Sequence, residues 1–136
     1  MAKTKAFEIA ELIRVFKYNT STDEIETTKR TKDKNKQRGN ATKTATDEFA
    51  LDTFAHADFR AARYIVAMKE GSKFHSTEIM LVHDGSDVTM TQYGTLKSHS
   101  LATFDADISG SDVQLLCTPA STSSTVIKFD RTTVDA

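Results

Sequence analysis

This sequence is poor in the residues that most often mark chemistry. It has one cysteine, Cys117, so no intrachain disulfide framework can form. Its four histidines fall in no HxH, HExxH or C-x2-C arrangement, which argues against a designed zinc site. Neither a GxxxxGK[ST] loop nor a GxGxxG turn occurs, so no nucleotide cradle is expected. No run approaches the ~20 apolar residues that a membrane helix needs. The N-terminus lacks an apolar signal core, so Sec-type export is not expected. The single proline, Pro119, suits a strand end, since proline gives no ladder donor.

What is present fits one domain, or a small domain with an arm. The chain has 136 residues, 38% hydrophobic and 27% charged. A globule of that size buries about two-thirds of its unfolded surface, enough for a core without staples.

Charge is unevenly spread. The formal net charge is -1, yet residues 29–43 hold Lys29, Arg30, Lys32, Lys34, Lys36, Arg38 and Lys43 against one acid, Asp33. The run KRTKDKNKQRGNATK has almost no apolar side chain to offset the cost of ordering. Residues 27–48 therefore read as a solvated linker or arm. The functional alternatives are an arm onto an acidic neighbour, using Lys32, Lys34, Lys36 and Arg38, or phosphate contacts on nucleic acid. The run has no interleaved aromatics to stack bases, which disfavours nucleic acid.

Residues 6–17, AFEIAELIRVFK, are ambiguous. Phe7, Ala10, Leu12 and Ile13 with Phe16 approximate a helical period, while Ile9, Glu11, Ile13 and Val15 share one strand parity. Asn19–Asp23 reads as a turn, and residues 24–28 as a returning strand. The apolar members, Phe7, Leu12, Ile13 and Phe16, need a cover and are candidate assembly contacts.

From residue 49 the pattern is period two. Ala62, Tyr64, Val66 and Met68 share a face, and Asp84-Gly85 is the strongest hairpin signal. Strands are expected at 61–69, 74–82, 88–93, 101–108, 112–118 and 125–133, with Gly94 ending the third. In the fourth, Ala102, Phe104, Ala106 and Ile108 point inward and Thr103, Asp105 and Asp107 outward. Short loops and no helical crossovers imply antiparallel pairing. The expected fold is all-β: a small antiparallel β-sandwich over 49–136 behind an extended or short-helical N-terminal arm, 1–48. IMLV at 79–82 and QLLC at 114–117 are apolar on both parities, which a subunit interface would explain.

Individual polar residues read mostly as structural. Asp105 and Asp107 are too few to hold Ca²⁺ and are expected to pair with Arg60, Arg63 or Arg131, or to face water. His83 is expected at the surface, Cys117 as a buried inert thiol, and Tyr64 and Phe74 in the core. Tyr93, at a strand end, is the candidate exposed aromatic for surface binding, and Asp105 and Asp107 are further surface-binding candidates.

Two stretches, FRAARYIVAMKEGSKFHSTEIMLVHDGSDVTMTQYG (59–94) and LATFDADISGSDVQLLCTPASTSSTVIKFDRT (101–132), support a resemblance. The matching positions are Phe59-Arg60, Tyr64, His83-Asp84-Gly85, the run from Phe104 to Gly110, Thr118-Pro119 and Arg131-Thr132. Ala102 stands where the pattern has glycine. Together these resemble a β domain recurrent in structural proteins of marine and cyanobacterial tailed phages. The resemblance implies a non-enzymatic virion building block: no catalytic residue, metal or cofactor, other virion structural proteins as partners, homo-oligomers, and no membrane. It implies a protein of the phage particle, assembled in the host cytoplasm, in capsid decoration, neck, or tail and fibre. The alternative is a β-sandwich binding module for carbohydrate or a host surface.

Overall fold

The computed structural model describes residues 16–19, 24–27 and 33–136. The chain divides into two units, residues 1–33 and 34–136. In the first, β1 (Phe16–Asn19) pairs antiparallel with β2 (Glu24–Thr27), Phe16 opposite Thr27. Phe7, Leu12, Ile13 and Lys32 lie outside the described residues, as does the choice between helix and strand over 6–15. Of Phe16 only the strand backbone is described.

The second unit holds eight strands in chain order: β3 (Lys36–Lys43), β4 (Phe49–Ala55), β5 (Phe59–Glu70), β6 (Lys73–His83), β7 (Val88–Lys97), β8 (Ala102–Ser109), β9 (Asp112–Pro119) and β10 (Thr125–Asp135). They form a five-stranded sheet, β3-β10-β5-β6-β7, and a three-stranded sheet, β4-β9-β8. Every pairing is antiparallel. The all-β, antiparallel expectation holds, and no helix occurs among the described residues.

The two sheets share one core. Tyr64, Val66 and Met68 of β5, Ile79 and Leu81 of β6, and Ile127 and Phe129 of β10 come from the larger sheet. Phe54 of β4, Ala102 of β8, and Val113, Leu115 and Cys117 of β9 come from the smaller. Covering these alternate side chains is what drives the sheets together.

The basic segment corrects the linker reading. Lys36–Lys43 is a strand at the sheet edge, paired with β10 from Thr125↔Lys43 to Thr132↔Lys36. Its order comes from backbone hydrogen bonds, which need no apolar side chain. Gly39 permits close approach: a Cβ there would lie 2.3 Å from the Phe129 ring, so that ring occupies the space a side chain would need. The outward Lys36 and Arg38 mark a charged sheet edge.

Gly94 does not end β7. It takes a φ of 60° at a register shift between Ser76 and Glu78 of the partner strand, and β7 continues to Lys97. The left-handed backbone there is a bulge, which glycine adopts without steric cost.

Candidate functional site

The two sheets present different outer faces. In β5 the inward set is Ala62, Tyr64, Val66 and Met68, so Ala61, Arg63, Ile65 and Ala67 face outward. In β6 the outward set is Phe74, Ser76, Glu78, Met80 and Val82. Cross-strand register extends this face: Val134 lies opposite Ala61, Thr89 opposite Val82, Thr91 opposite Met80, and Leu96 opposite Ser76.

The exposed large hydrophobics among the described residues are Ile65, Phe74, Met80, Val82, Leu96 and Val134. By this register all of them lie on the outer face of the five-stranded sheet. Their exposure runs from 47% at Met80 to 72% at Leu96. The outer face of the smaller sheet instead carries Thr103, Asp105 and Asp107 of β8 opposite Thr118, Leu116 and Gln114 of β9. Single exposed apolar residues are ordinary; a one-sided set of this kind is what an interaction surface would present.

Several charges on this sheet's outer face and edge are paired. Arg63 Nη2 lies 3.1 Å from Glu78 Oε1, directly across β5–β6 from the apolar residues, and this hydrogen bond holds the Arg63 pKa above its ordinary value. Tyr93 sits opposite Glu78 and is half-buried. Toward β3, Arg38 pairs with Asp130 at 3.4 Å. Lys34 pairs with Asp135 at 3.4 Å, and Lys36 lies opposite Thr132 on the β3 edge.

The sequence-derived candidates therefore separate. Tyr93, Lys36 and Arg38 belong to the larger sheet, while Asp105 and Asp107 lie on the smaller one. The arginines expected to pair with Asp105 and Asp107 bond elsewhere: Arg60 to the His83 carbonyl, Arg63 to Glu78 and Arg131 to Asp52. Asp105 Oδ1 accepts the Ala106 amide at 2.8 Å, and both Asp105 and Asp107 remain exposed. Phe74, read as core, is 57% exposed; its neighbour His75 takes the inward position. The Val82 and Met80 parity of IMLV, by contrast, is the signal in the sequence that located this face.

His83 corrects the surface expectation. It is buried, its Nε2–H donates to the Phe59 carbonyl at 2.6 Å, and its Nδ1 accepts the Gly85 amide at 3.1 Å. Asp84 Oδ1 accepts the amides of Ser86 and Asp87, both at 2.8 Å, which holds its carboxyl below the usual range. The His-Asp-Gly run is thus a turn that ties the β6–β7 hairpin to the start of β5. These bonds are those of a structural turn.

Inside, Asp52 of β4 accepts Arg131 Nη1 at 2.7 Å and the Tyr64 hydroxyl at 2.8 Å. Burial, and then the Asp52 charge, push the Tyr64 hydroxyl pKa up. Burial likewise pushes the Cys117 thiol up to about 12, which fits an inert thiol rather than a nucleophile. No group of three or more His, Cys, Asp and Glu among the described residues is placed to hold a metal ion.

No protein-family model and no curated protein matches this sequence. Among solved structures, the fold is similar to part of the tailspike protein of Acinetobacter phage vB_ApiP_P1, with a TM-score of 0.50 and 17% identity over 81% of this chain. The tailspike of Acinetobacter baumannii phage AM24 aligns at 0.40 and 10% identity, over 75% of this chain and 26% of that one. The tailspike gp49 of A. baumannii bacteriophage Fri1, a capsular polysaccharide depolymerase, aligns at 0.33 and 12% identity, over 74% of this chain and 20% of that one. This chain spans 23% of the length of the first tailspike, and the likeness at that identity is one of fold.

Proposed function

We propose that this chain is a non-enzymatic structural component of a phage virion, associated with tail or fibre, that assembles through the outer face of its five-stranded sheet. The observation that carries the reading is the placement of Ile65, Phe74, Met80, Val82, Leu96 and Val134 on that one face. Covering each half-exposed side chain is worth roughly 1 kcal/mol, so the set rewards docking against another virion protein. The sequence resemblance to virion β domains and the fold shared with a tailspike segment support the same reading. Engagement of His83 and Asp52 in structural bonds supports a non-enzymatic role.

The test is mass spectrometry of gradient-purified particles of the phage that encodes the chain, with wild type compared to Met80→Lys/Val82→Lys. The expected result is stoichiometric incorporation of wild type and loss of the folded double variant. Absence of the wild-type chain from particles overturns the reading. So does release of oligosaccharides from capsular polysaccharide by the isolated chain.

A further inference from the structure

The four edges of the two sheets are not equally protected. On β3, Lys36 and Arg38 point outward, and Lys43 closes the strand over the Phe49 ring at 4.3 Å. On β4, Leu51 is an unpaired bulge residue and Asp52 is an inward charge. On β8, Asp105 and Asp107 project outward. Charges, bulges and inward-pointing ions are the devices by which sheet edges refuse further strands.

The fourth edge has little of this. From Val88 to Leu96, β7 contains no Asp, Glu, Lys, Arg or His. Its bulge at Gly94 leaves the stretch Val88–Tyr93 in regular register with β6. Among the described residues no strand pairs with its far side. Beside that same stretch, Ala61, Met80, Val82, Thr89, Met90 and Thr91 line a groove of about 240 Å³. An unblocked backbone edge with an apolar groove alongside is a site for strand addition, where main-chain bonds supply affinity and the groove takes a side chain.

We infer that β7 is a strand-addition edge whose occupant is β7 of a second copy of this chain, running antiparallel across a two-fold axis within Val88–Tyr93. An uncharged strand pairs with itself without setting like charges opposite one another, and Thr89 and Thr91 become cross-strand threonine pairs, which are favourable. The contact is isologous, so it closes at two copies. Growth from the other end of the joined sheet is opposed because Lys36 and Arg38 of β3 would face their own equivalents. This edge borders the apolar face assigned to virion docking and shares Met80 and Val82 with it through the groove, but the inference does not depend on that assignment.

The experiment uses the full chain. Light scattering after size exclusion, over a range of concentrations, is expected to show a monomer–dimer equilibrium. Thr89→Lys/Thr91→Lys, folded by circular dichroism, is expected to weaken the dimer at least ~10-fold, because like charges meet across the axis. Ile65→Lys, on the outer face away from the groove, is expected to leave it within ~3-fold. Single cysteines replacing Thr89, Thr91 or Tyr93 in a Cys117→Ala background are expected to cross-link on oxidation, most strongly at the residue nearest the axis. A monomer at every concentration, an open series beyond two copies, or a dimer unaffected by the double lysine variant overturns the inference. Cross-linking through Met80→Cys as efficient as through the β7 positions overturns it as well.

Discussion

Arg131 and Asp52 are joined by a 2.7 Å ion pair that crosses the interior, Arg131 from β10 of the larger sheet and Asp52 from β4 of the smaller. Both side chains are almost entirely buried, at 4% and 8% exposure. The guanidinium also stands 5.5 Å from the centre of the Phe54 ring and 5.6 Å from that of Phe59, and its Nη2 donates to Gln37 on β3. One cation therefore ties together β3, β4, β5 and β10. The Arg131-Thr132 element of the family resemblance is structural in this chain.

Removing one partner of the pair leaves a buried, uncompensated charge. Asp52→Ala or Arg131→Ala is expected to cost about 3–5 kcal/mol in urea unfolding. Asp52→Leu/Arg131→Met, which removes both charges and keeps volume, is expected to cost less than either single change. If the double variant is as unstable as the sum of the singles, the pair is not coupled as described.

Gly39 and Phe129 form a second coupled pair. A Cβ at Gly39 would sit 2.3 Å from one ring atom of Phe129 and 2.5 Å from another, and the ring is itself buried. Gly39→Ala is expected to destabilise by about 1–3 kcal/mol through overpacking. In a Phe129→Leu background the same change is expected to cost much less. Equal costs in both backgrounds, measured by denaturant midpoint, would remove the ring as the cause.

His75 gives the fold an acid limit. It is buried, its Nδ1 accepts the Leu101 amide at 3.2 Å, and its Nε2 has no hydrogen-bond partner among the described residues. Burial, and then the Lys97 charge, hold its pKa below the ordinary 6.5. The unfolded chain therefore takes up a proton first as pH falls through 6.5, and stability drops with it. The urea midpoint is expected to fall between neutral and mildly acid pH. His75→Gln, which keeps an acceptor for Leu101, is expected to flatten that slope. An unchanged slope would assign the acid sensitivity to other groups.

Cys117 reports on the alkaline side. With its pKa raised from 9.0 to about 12 by burial, the unfolded thiol deprotonates before the folded one, so its contribution to stability declines as pH rises through that interval. Tyr64, raised by burial and by Asp52, acts in the same sense. At neutral pH iodoacetamide is expected to label the native thiol only at the rate of unfolding, and to label it promptly in urea. Prompt labelling of folded protein would mean that the core around Cys117 opens locally.

Period two was enough to read the layered β fold, since alternation at Ala62–Met68 and Ala102–Ile108 leaves a strand only one way to divide its faces. The Asp84-Gly85 turn and the buried Cys117 were equally legible, because their determinants are local. β3 was not: an edge strand is held by backbone bonds to its neighbour, and KQRGNATK gives side-chain evidence only of solvation. His83 and Phe74 exchanged their expected environments for a related reason. In β6 both parities hold apolar residues, and only the position of the second sheet decides that His75, Ile79, Leu81 and His83 turn inward while Phe74, Met80 and Val82 are left outside. Local chemistry thus determined most of the strands and turns, whereas tertiary packing decided the edge strand β3 and which greasy face is covered, because those depend on contacts between residues far apart in the chain.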